Sequence, residues 1–281
     1  MAGGHVSIAL EWDNIRLSEA DRSRRLLAQL DAQAGDIGAQ VDVIVCYNDD
    51  EVDGHELEHL LQRHLTIPWK LAAARGCEYY ELKTRAASLS KGDPVVFVDS
   101  DVIPEPEWLA ELLSCFDDPA VEVACGSTFI DPESLSGKAF ALFWFFPLRQ
   151  VRREISRVPL FYANNVAFRR RTFERFPFPH IVDASRGSCL LLADRLRTAG
   201  IAIWRNSAAR ASHPPPSGLA HFVTRAVAQG AIDICASARG HADGSMPPPA
   251  VPSGSLGTWP ARRATLLPVI ARPAWPCGSC P

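Results

Sequence analysis

The sequence lacks a long apolar segment. Its longest run of aromatic and aliphatic residues, AFALFWFFPL at positions 139–148, is about half the roughly 20 residues that a helix needs to span a bilayer. The N-terminal residues MAGGHVSIALEWDN also lack the basic and apolar regions of a signal peptide. We therefore expect no transmembrane segment and a cytoplasmic location. The aromatic run is expected to be buried; the alternative is a surface for peripheral membrane contact with a lipid-linked acceptor.

An excess of positive charge is also missing, and only one pair of cysteines is closely spaced. The chain has 29 Lys and Arg against 32 Asp and Glu, a net charge of −3, so no overall cationic field attracts nucleic acid. Most of the eight cysteines are widely scattered, which is typical of reduced, buried thiols. Cys277 and Cys280 have metal or redox spacing, but no second pair accompanies them. Nucleic acid is therefore not an expected partner, and disulfides are not required.

The composition is that of a globular protein with a different C-terminal segment. Hydrophobic residues make up 47% and charged residues 22% of the 281 positions, which are ordinary values. From residue 240 onward the chain is rich in Pro and Gly without a helical or strand period. We expect a folded domain at residues 1–238 and a flexible tail at residues 239–281.

Apolar runs alternate with amphipathic stretches in the first 115 residues. The pattern predicts strands at 6–10, 41–47 and 95–98, separated by helices near 18–34, 56–64 and 78–90. A helix near 106–115, strands at 121–125, 161–168 and 201–204, and a helix at 188–199 are predicted after them. Such alternation predicts an α/β fold, a mostly parallel sheet with helices on both faces. Ligands bind such sheets at the carboxyl ends of the strands.

Two aspartates stand at the end of a predicted strand. Asp99-Ser100-Asp101 follow the apolar run VVFV and precede VIPEP. Where the backbone turns at a strand end, both carboxylates can reach one divalent cation, and Mg²⁺ or Mn²⁺ bound in this way bridges to substrate phosphates. The alternative is a helix cap or solvated turn, where Asp is common. The position after a buried strand favours the metal interpretation.

Several segments resemble one enzyme family. FVDSDVIPEPEWL (97–109) resembles the segment of inverting family-two glycosyltransferases, which have the GT-A fold, in which a strand runs into Asp-x-Asp, then Pro and a helix. ELKTRAASLSKGD (81–93), FYANNVAFRRRTFERF (161–176) and RLRTAGIAIWRNSAARASH (195–213) resemble further family segments in the expected order. The resemblance covers about residues 5–215 and leaves the subfamily open.

The resemblance implies a set of donor-site residues. It implies a nucleotide-sugar site at the strand ends, with Lys83 near the ribose or diphosphate and the remaining members at Glu11, Asp13, Asn14, Asn48, Asp49, Asp99, Ser100 and Asp101. Asp99 is expected to face the ribose or the metal. Asp101 is the expected direct ligand of Mn²⁺ or Mg²⁺, and His213 approaches the metal or diphosphate. Polar turns, a solvated helix face and a surface histidine are the alternatives for these positions.

The acceptor side departs from the family pattern. The family usually has Glu-Asp just before its last helix, whereas residues 185–190, SRGSCL, contain no acid. Asp183 is the nearest replacement and is the expected general base; its alternative role is a helix-entry acid. Arg186 is expected to bind an anionic acceptor or the diphosphate. Asn164 and Asn165 are expected to bind sugar hydroxyls, with strand-end turns as the alternative.

These residues together predict a glycosyltransferase. We expect metal-dependent transfer of a sugar from UDP, GDP or a similar carrier to a hydroxyl acceptor with inversion. Residues 1–102 are the expected nucleotide-binding half and residues 103–238 the acceptor half. The alternatives are a sugar-phosphate nucleotidyltransferase, a phosphatase with an aspartate nucleophile, and a non-catalytic sugar-nucleotide-binding module.

Overall fold

The computed structural model describes residues 4–14, 20–130, 138, 146, 149, 151–180 and 187–215. Two compact units divide the chain, at residues 1–236 and 237–281, and all the described residues belong to the first. Within these ranges no helix has the length and apolar character needed to cross a membrane.

The first half of the chain forms four parallel strands. They are β1 (His5–Glu11), β2 (Gln40–Tyr47), β3 (Trp69–Ala73) and β4 (Val95–Asp99), arranged in the order β3-β2-β1-β4. Three helices connect them, α1 (Ala20–Asp36), α2 (Gly54–His64) and α3 (Tyr79–Leu89). Since the strands are parallel, their carboxyl ends lie at one edge of the sheet, where the turns after β1, β2 and β4 meet.

The second half extends the same sheet in mixed directions. Its elements are β5 (Ile103–Pro104), α4 (Trp108–Ser114), a short 3₁₀ helix (Cys115–Asp117), β6 (Val123–Ile130), β7 (Ile155–Val158), β8 (Asn165–Phe168), α5 (Arg170–Arg175), α6 (Ser188–Thr198) and β9 (Ile203–His213). The sheet has nine strands in the order β3-β2-β1-β4-β8-β6-β9-β5, and β7 pairs with β9. β8 lies antiparallel between β4 and β6, and β9 is parallel to β6.

The apolar strands supply a core on each face of the sheet. Side chains alternate between the faces of a strand, so Val96 and Val98 of β4 belong to one buried cluster, and Val95 and Phe97 to the other. The first cluster is closed by leucines of α1, α2 and α4, and the second by apolar residues of α3, α5 and α6. Burial on both faces explains why the central strands are continuous apolar runs rather than alternating ones.

The predicted α/β fold, with a central sheet and helices on both faces, is confirmed. Strands β1 to β4 pair in parallel, as do β6 and β9. β8 pairs antiparallel with β4, and the short strands β5 and β7 pair antiparallel with β9. β9 is longer than the predicted strand at 201–204 and runs to His213. Its polar stretch RNSAARAS carries little apolar signal, and pairing with β6, β5 and β7 makes it a strand.

Candidate functional site

Three buried carboxylates lie at the carboxyl edge of the parallel strands. Glu11 ends β1 and Asp99 ends β4, and the two residues are direct neighbours in the parallel register. Asp101 follows in the turn after β4. Glu11 is fully buried, and Asp99 and Asp101 are each 4% exposed. Because a buried ionised carboxylate is costly unless it is paired or hydrogen-bonded, the partners of each acid indicate its role.

Asp99 is fully engaged by neighbouring side chains. Its Oδ1 lies 2.7 Å from the Lys83 Nζ, and both of its oxygens accept from the Tyr79 hydroxyl, at 2.7 and 2.9 Å. The Asn14 Nδ2 donates to the Asp99 Oδ2 at 3.1 Å. A carboxylate has about four lone-pair sites, and three donor groups occupy both oxygens here. Asp99 therefore links the side chains of Lys83, Tyr79 and Asn14 within the site.

Lys83 supplies the positive charge inside this cluster. It lies in the middle of α3, its side chain is fully buried, and its Nζ also donates to the Val98 carbonyl oxygen at 3.1 Å. The ammonium group lies 5.0 Å from the centre of the Tyr79 ring, a cation–π distance. The structure thus places Lys83 against Asp99, beneath the turn that was expected to hold the donor.

Glu11 organises the loops after β1 and β4. Its carboxylate accepts from the backbone N–H of Asp13 at 2.6 Å, of Asn14 at 3.2 Å and of Ser100 at 3.2 Å. Burial, with a smaller contribution from the Asp99 charge, raises the pKa of Glu11 to about 8. Glu11 therefore holds the two loops together and has no side-chain oxygen directed to solvent.

Asp101 differs from the other two acids. Its Oδ1 is buried and has no hydrogen-bond partner among the described residues, and its Oδ2 lies 3.9 Å from the His213 Nε2. Burial raises the pKa of the Asp101 carboxyl above its usual value. An unpaired buried acceptor costs about 1–3 kcal/mol, which makes this oxygen a candidate position for a ligand.

His213 directs its Nε2 toward Asp101. Its Nδ1 lies 2.7 Å from the Pro214 carbonyl oxygen; since a carbonyl only accepts, the Nδ1–H is the donor, and Nε2 of the neutral ring keeps its lone pair. Metal-bound histidines are oriented by the same second hydrogen bond. The described ranges contain no group of three or more His, Cys, Asp or Glu arranged to hold a metal. Asp101 and His213 face each other at this edge of the sheet.

The predicted nucleoside residues lie at the same edge but have different surroundings. Asn48, after β2, accepts through Oδ1 from the backbone N–H of Asp50 at 3.1 Å and of Gly76 at 3.0 Å. It therefore shapes the turn. Asp49 forms an ion pair with Arg75 at 3.4 Å, and Asp13 and Asn14 follow β1 and are half-buried.

Asn165 is part of the packing between the sheet and α4. Its Oδ1 accepts from the Trp108 Nε1 at 2.9 Å, and its Nδ2 donates to the Ala209 carbonyl oxygen at 3.1 Å. A Cβ on Gly126 would lie 2.1 Å from that same carbonyl oxygen, so glycine permits the close approach of the two strands. Asn164 is 4% exposed, and its Oδ1 accepts from the Thr128 hydroxyl at 3.0 Å. Binding of sugar hydroxyls by Asn164 and Asn165 stays a prediction.

Asp183 and Arg186 lie outside the described residues, as do residues 239–281 and most of the aromatic run at 139–148. α6 begins at Ser188, after Gly187 in the left-handed conformation. Its first four residues, SCLL, contain no acid.

Sequence reasoning missed two side chains at the site, Tyr79 and Arg22. Tyr79 opens α3 and reaches Asp99. Arg22 lies on α1, and its Nε donates to the Asp101 carbonyl oxygen at 2.8 Å. Neither position has a sequence signal, because a tyrosine in a first helical turn and an arginine on an amphipathic helix are both ordinary.

A cavity of about 400 Å³ lies between α3 and the start of α6, with Tyr79, Phe178 and Ser188 in its wall.

Comparison with protein families agrees with this geometry. Residues 83–176 match the family described as Glycosyl transferase family 2. The matched segment contains Lys83, the Asp99–Asp101 turn, Asn164 and Asn165. The family resemblance inferred from the sequence is confirmed.

Solved glycosyltransferase structures share the fold. A mannosyltransferase from Pyrobaculum calidifontis, PcManGT, in complex with GDP-Man and Mn²⁺, matches with a TM-score of 0.62 and 18% identity over 88% of this chain and 67% of that chain. TarS of S. aureus, in complex with UDP-GlcNAc, matches with a TM-score of 0.57 and 14% identity over 78% of this chain and 60% of that one. A mycobacterial protein matches with a TM-score of 0.52 and 18% identity over 78% of this chain and 70% of its own. No curated protein matches the chain in sequence.

Replacing Asn165 with Ala is expected to destabilise the fold by about 2–4 kcal/mol, because a buried indole N–H and a carbonyl oxygen lose their partner. Urea unfolding measures the loss. In a double-mutant cycle with Trp108→Phe, the two losses should be less than additive, since the residues share one hydrogen bond. Unchanged stability in the Asn165→Ala protein would contradict the packing role.

Replacing Asp101 with Asn is expected to stabilise the metal-free protein, and more so at pH 8 than at pH 4. Because the Asp101 pKa is raised on folding, ionisation above the unfolded value of about 3.9 costs stability, and the amide lacks this cost. Urea unfolding in EDTA at both pH values measures the difference in the free energy of unfolding between the variant and the wild type. Asp50→Asn, in an exposed ion pair, is the control and should change stability by less than about 1 kcal/mol at either pH. Lower stability of Asp101→Asn at pH 8 would contradict the assignment.

Proposed function

We propose that this chain is a metal-dependent glycosyltransferase that transfers a sugar from a nucleoside-diphosphate sugar to a hydroxyl acceptor with inversion. The observation that carries the proposal is the buried Asp101 carboxylate, whose Oδ1 has no partner within the described ranges and whose Oδ2 faces His213. The match to glycosyl transferase family 2 supports sugar transfer as the reaction.

The residues present fit a hard divalent cation. Asp101 offers a carboxylate oxygen and His213 a neutral imidazole nitrogen, and Mn²⁺ accepts both types of ligand. Two protein ligands leave coordination positions for diphosphate oxygens and water, as Mg²⁺ and Mn²⁺ sites on phosphate substrates commonly do. When bound, the ion would supply charge neutralisation to the leaving diphosphate. The Mn²⁺ in the PcManGT complex agrees with this choice.

We propose that Asp99 and Glu11 fix the positions of the loops around the donor site. Asp99 is occupied by Lys83, Tyr79 and Asn14, so we assign it to positioning the turn rather than to the metal. This arrangement also argues against the phosphatase alternative, because an Asp99 nucleophile would need a free oxygen. Asp13, Asn14 and Asp49 remain the proposed nucleoside contacts, on residues 1–102. Guanine and uracil are the candidate bases of the donor, since the neighbours' complexes contain GDP-Man and UDP-GlcNAc.

We assign deprotonation of the acceptor to Asp183, and binding of an anionic acceptor or of the diphosphate to Arg186. An inverting transfer needs a base on the face of the sugar opposite the leaving diphosphate. The first residues of α6 carry no acid, and Asp183 is the nearest carboxylate before them. A non-catalytic binding module is the second candidate, favoured by that missing acid. A binding module of this kind would bind the nucleotide sugar without consuming it.

A thermal-shift screen of nucleoside diphosphates tests metal-dependent donor binding. At about 100 times the Kd, a ligand stabilises by about 2.7 kcal/mol, or roughly 5–10 °C in a domain of this size. We expect GDP or UDP to raise the Tm in the presence of Mn²⁺ and much less in EDTA. Asp101→Asn should lose the Mn²⁺-dependent part and keep its fold. The proposal fails when no nucleotide responds to Mn²⁺ in the wild-type protein.

Asp183→Asn is expected to lower turnover by about 100-fold or more, because general-base catalysis contributes factors of this size. Donor consumption, measured with the nucleotide sugar that the screen selects, reports the turnover, and the thermal shift shows that donor binding is retained. Asp194→Asn, on the exposed face of α6, is the matched control and should be fully active. Equal rates for Asp183→Asn and the wild type would reject the base assignment.

A further inference from the structure

One arginine joins the two halves of the candidate metal site. The Arg22 Nε donates to the Asp101 carbonyl oxygen at 2.8 Å. The Arg22 Nη2 donates to the Ser212 carbonyl oxygen at 2.9 Å and lies 3.2 Å from the Ser212 hydroxyl. One guanidinium group therefore contacts the backbone of Asp101 itself and of the residue just before His213.

The backbone alone holds these two segments together weakly. Asp101 lies in the turn after β4, and His213 ends β9. The strand pairing that joins them, β5 with β9, has two register positions, Ile103 with Ser212 and Pro104 with Ala211. β5 also stands at the end of the sheet order, and short pairings at a sheet edge open easily. Additional bonds between the segments therefore have a direct effect on their separation.

We propose that Arg22 is a positioning residue that sets the separation of Asp101 and His213 for a divalent cation. The inference rests on the proposed function and assigns a role that the family resemblance does not supply. Arg suits the task because its donors are arranged in a rigid planar fork and charge-assisted hydrogen bonds are stronger than neutral ones. Metal ligands held at a fixed separation bind the ion without first being ordered.

The geometry separates this role from general support of the fold. Arg22 is half-buried, and its bonds to the Asp101 and Ser212 carbonyl oxygens reach the two segments that carry Asp101 and His213. Leu26, Leu27 and Leu30, on the same helix, fill the core beneath. Arg24, two residues along α1, is exposed and offers a matched arginine that has no place in the metal site.

The test measures Mn²⁺ binding in full-length wild-type protein and in Arg22→Gln, Arg22→Lys, Arg24→Gln and Asp101→Asn. Free Mn²⁺ is followed by electron paramagnetic resonance in the presence of GDP and, separately, of UDP, and the Tm is measured in EDTA. Changes that disturb the orientation of metal ligands typically cost 10–100-fold in metal affinity. We expect about a tenfold loss for Arg22→Gln, a smaller loss for Arg22→Lys, and less than a twofold change for Arg24→Gln.

A positioning role further predicts that excess Mn²⁺ restores the nucleotide-dependent rise in Tm of Arg22→Gln to the wild-type value. If Arg22→Gln bound Mn²⁺ as tightly as the wild type while Asp101→Asn bound it weakly, the Arg22 inference would be overturned and the proposed function would stand. No Mn²⁺ binding by the wild type with either nucleotide would overturn both. When Arg22→Gln is unfolded, Arg22→Lys decides, because one ammonium group cannot keep both contacts; undiminished affinity in that variant would overturn the inference.

Discussion

The burial of three carboxylates beside one lysine is the constraint on which the rest of the site depends. Glu11, Asp99 and Asp101 are withdrawn from water at the end of two neighbouring strands, where uncompensated negative charge is costly. Lys83 and Tyr79 satisfy Asp99, and backbone N–H groups satisfy Glu11. Asp101 keeps a buried oxygen without a partner among the described residues. A cation at that oxygen would complete the balance of charge, which is why the proposed function begins there.

This constraint also explains how the two halves of the sheet cooperate. The parallel strands β1 and β4 bring the acids together, whereas His213 arrives at the end of β9, from the mixed half. β8 joins the halves, and Asn165 fixes β8 to α4 and β9 through Trp108 and Ala209. The Asn165 amide, which the sequence suggested as an acceptor-binding group, thus aligns β9, the strand that ends at His213.

Much of the architecture was predictable because the signals are local. The runs around Val43 and Val96 are buried on both faces. Their continuous apolar residues predict strands without knowledge of the strands that pair with them. The short strands β5 and β7 carry little such signal: Ile103–Pro104 has two residues, and Ile155 is half exposed. They are strands because β9 lies alongside them. The Asp99–Asp101 turn was predicted as a site from its position after VVFV, but the different surroundings of its two acids depend on residues distant in the chain.

The sequence by itself determined the α/β class, the family resemblance and the edge of the sheet at which acidic residues gather, because strand periodicity and a short motif are properties of adjacent residues. Only the tertiary structure decided that Lys83 and Tyr79 occupy Asp99, that Asn165 is committed to Trp108, and that Arg22 joins Asp101 to the end of β9. Each of these is a contact between side chains or backbone groups far apart in sequence. Hydrogen-bond partners are selected by distance in space, which no local pattern encodes.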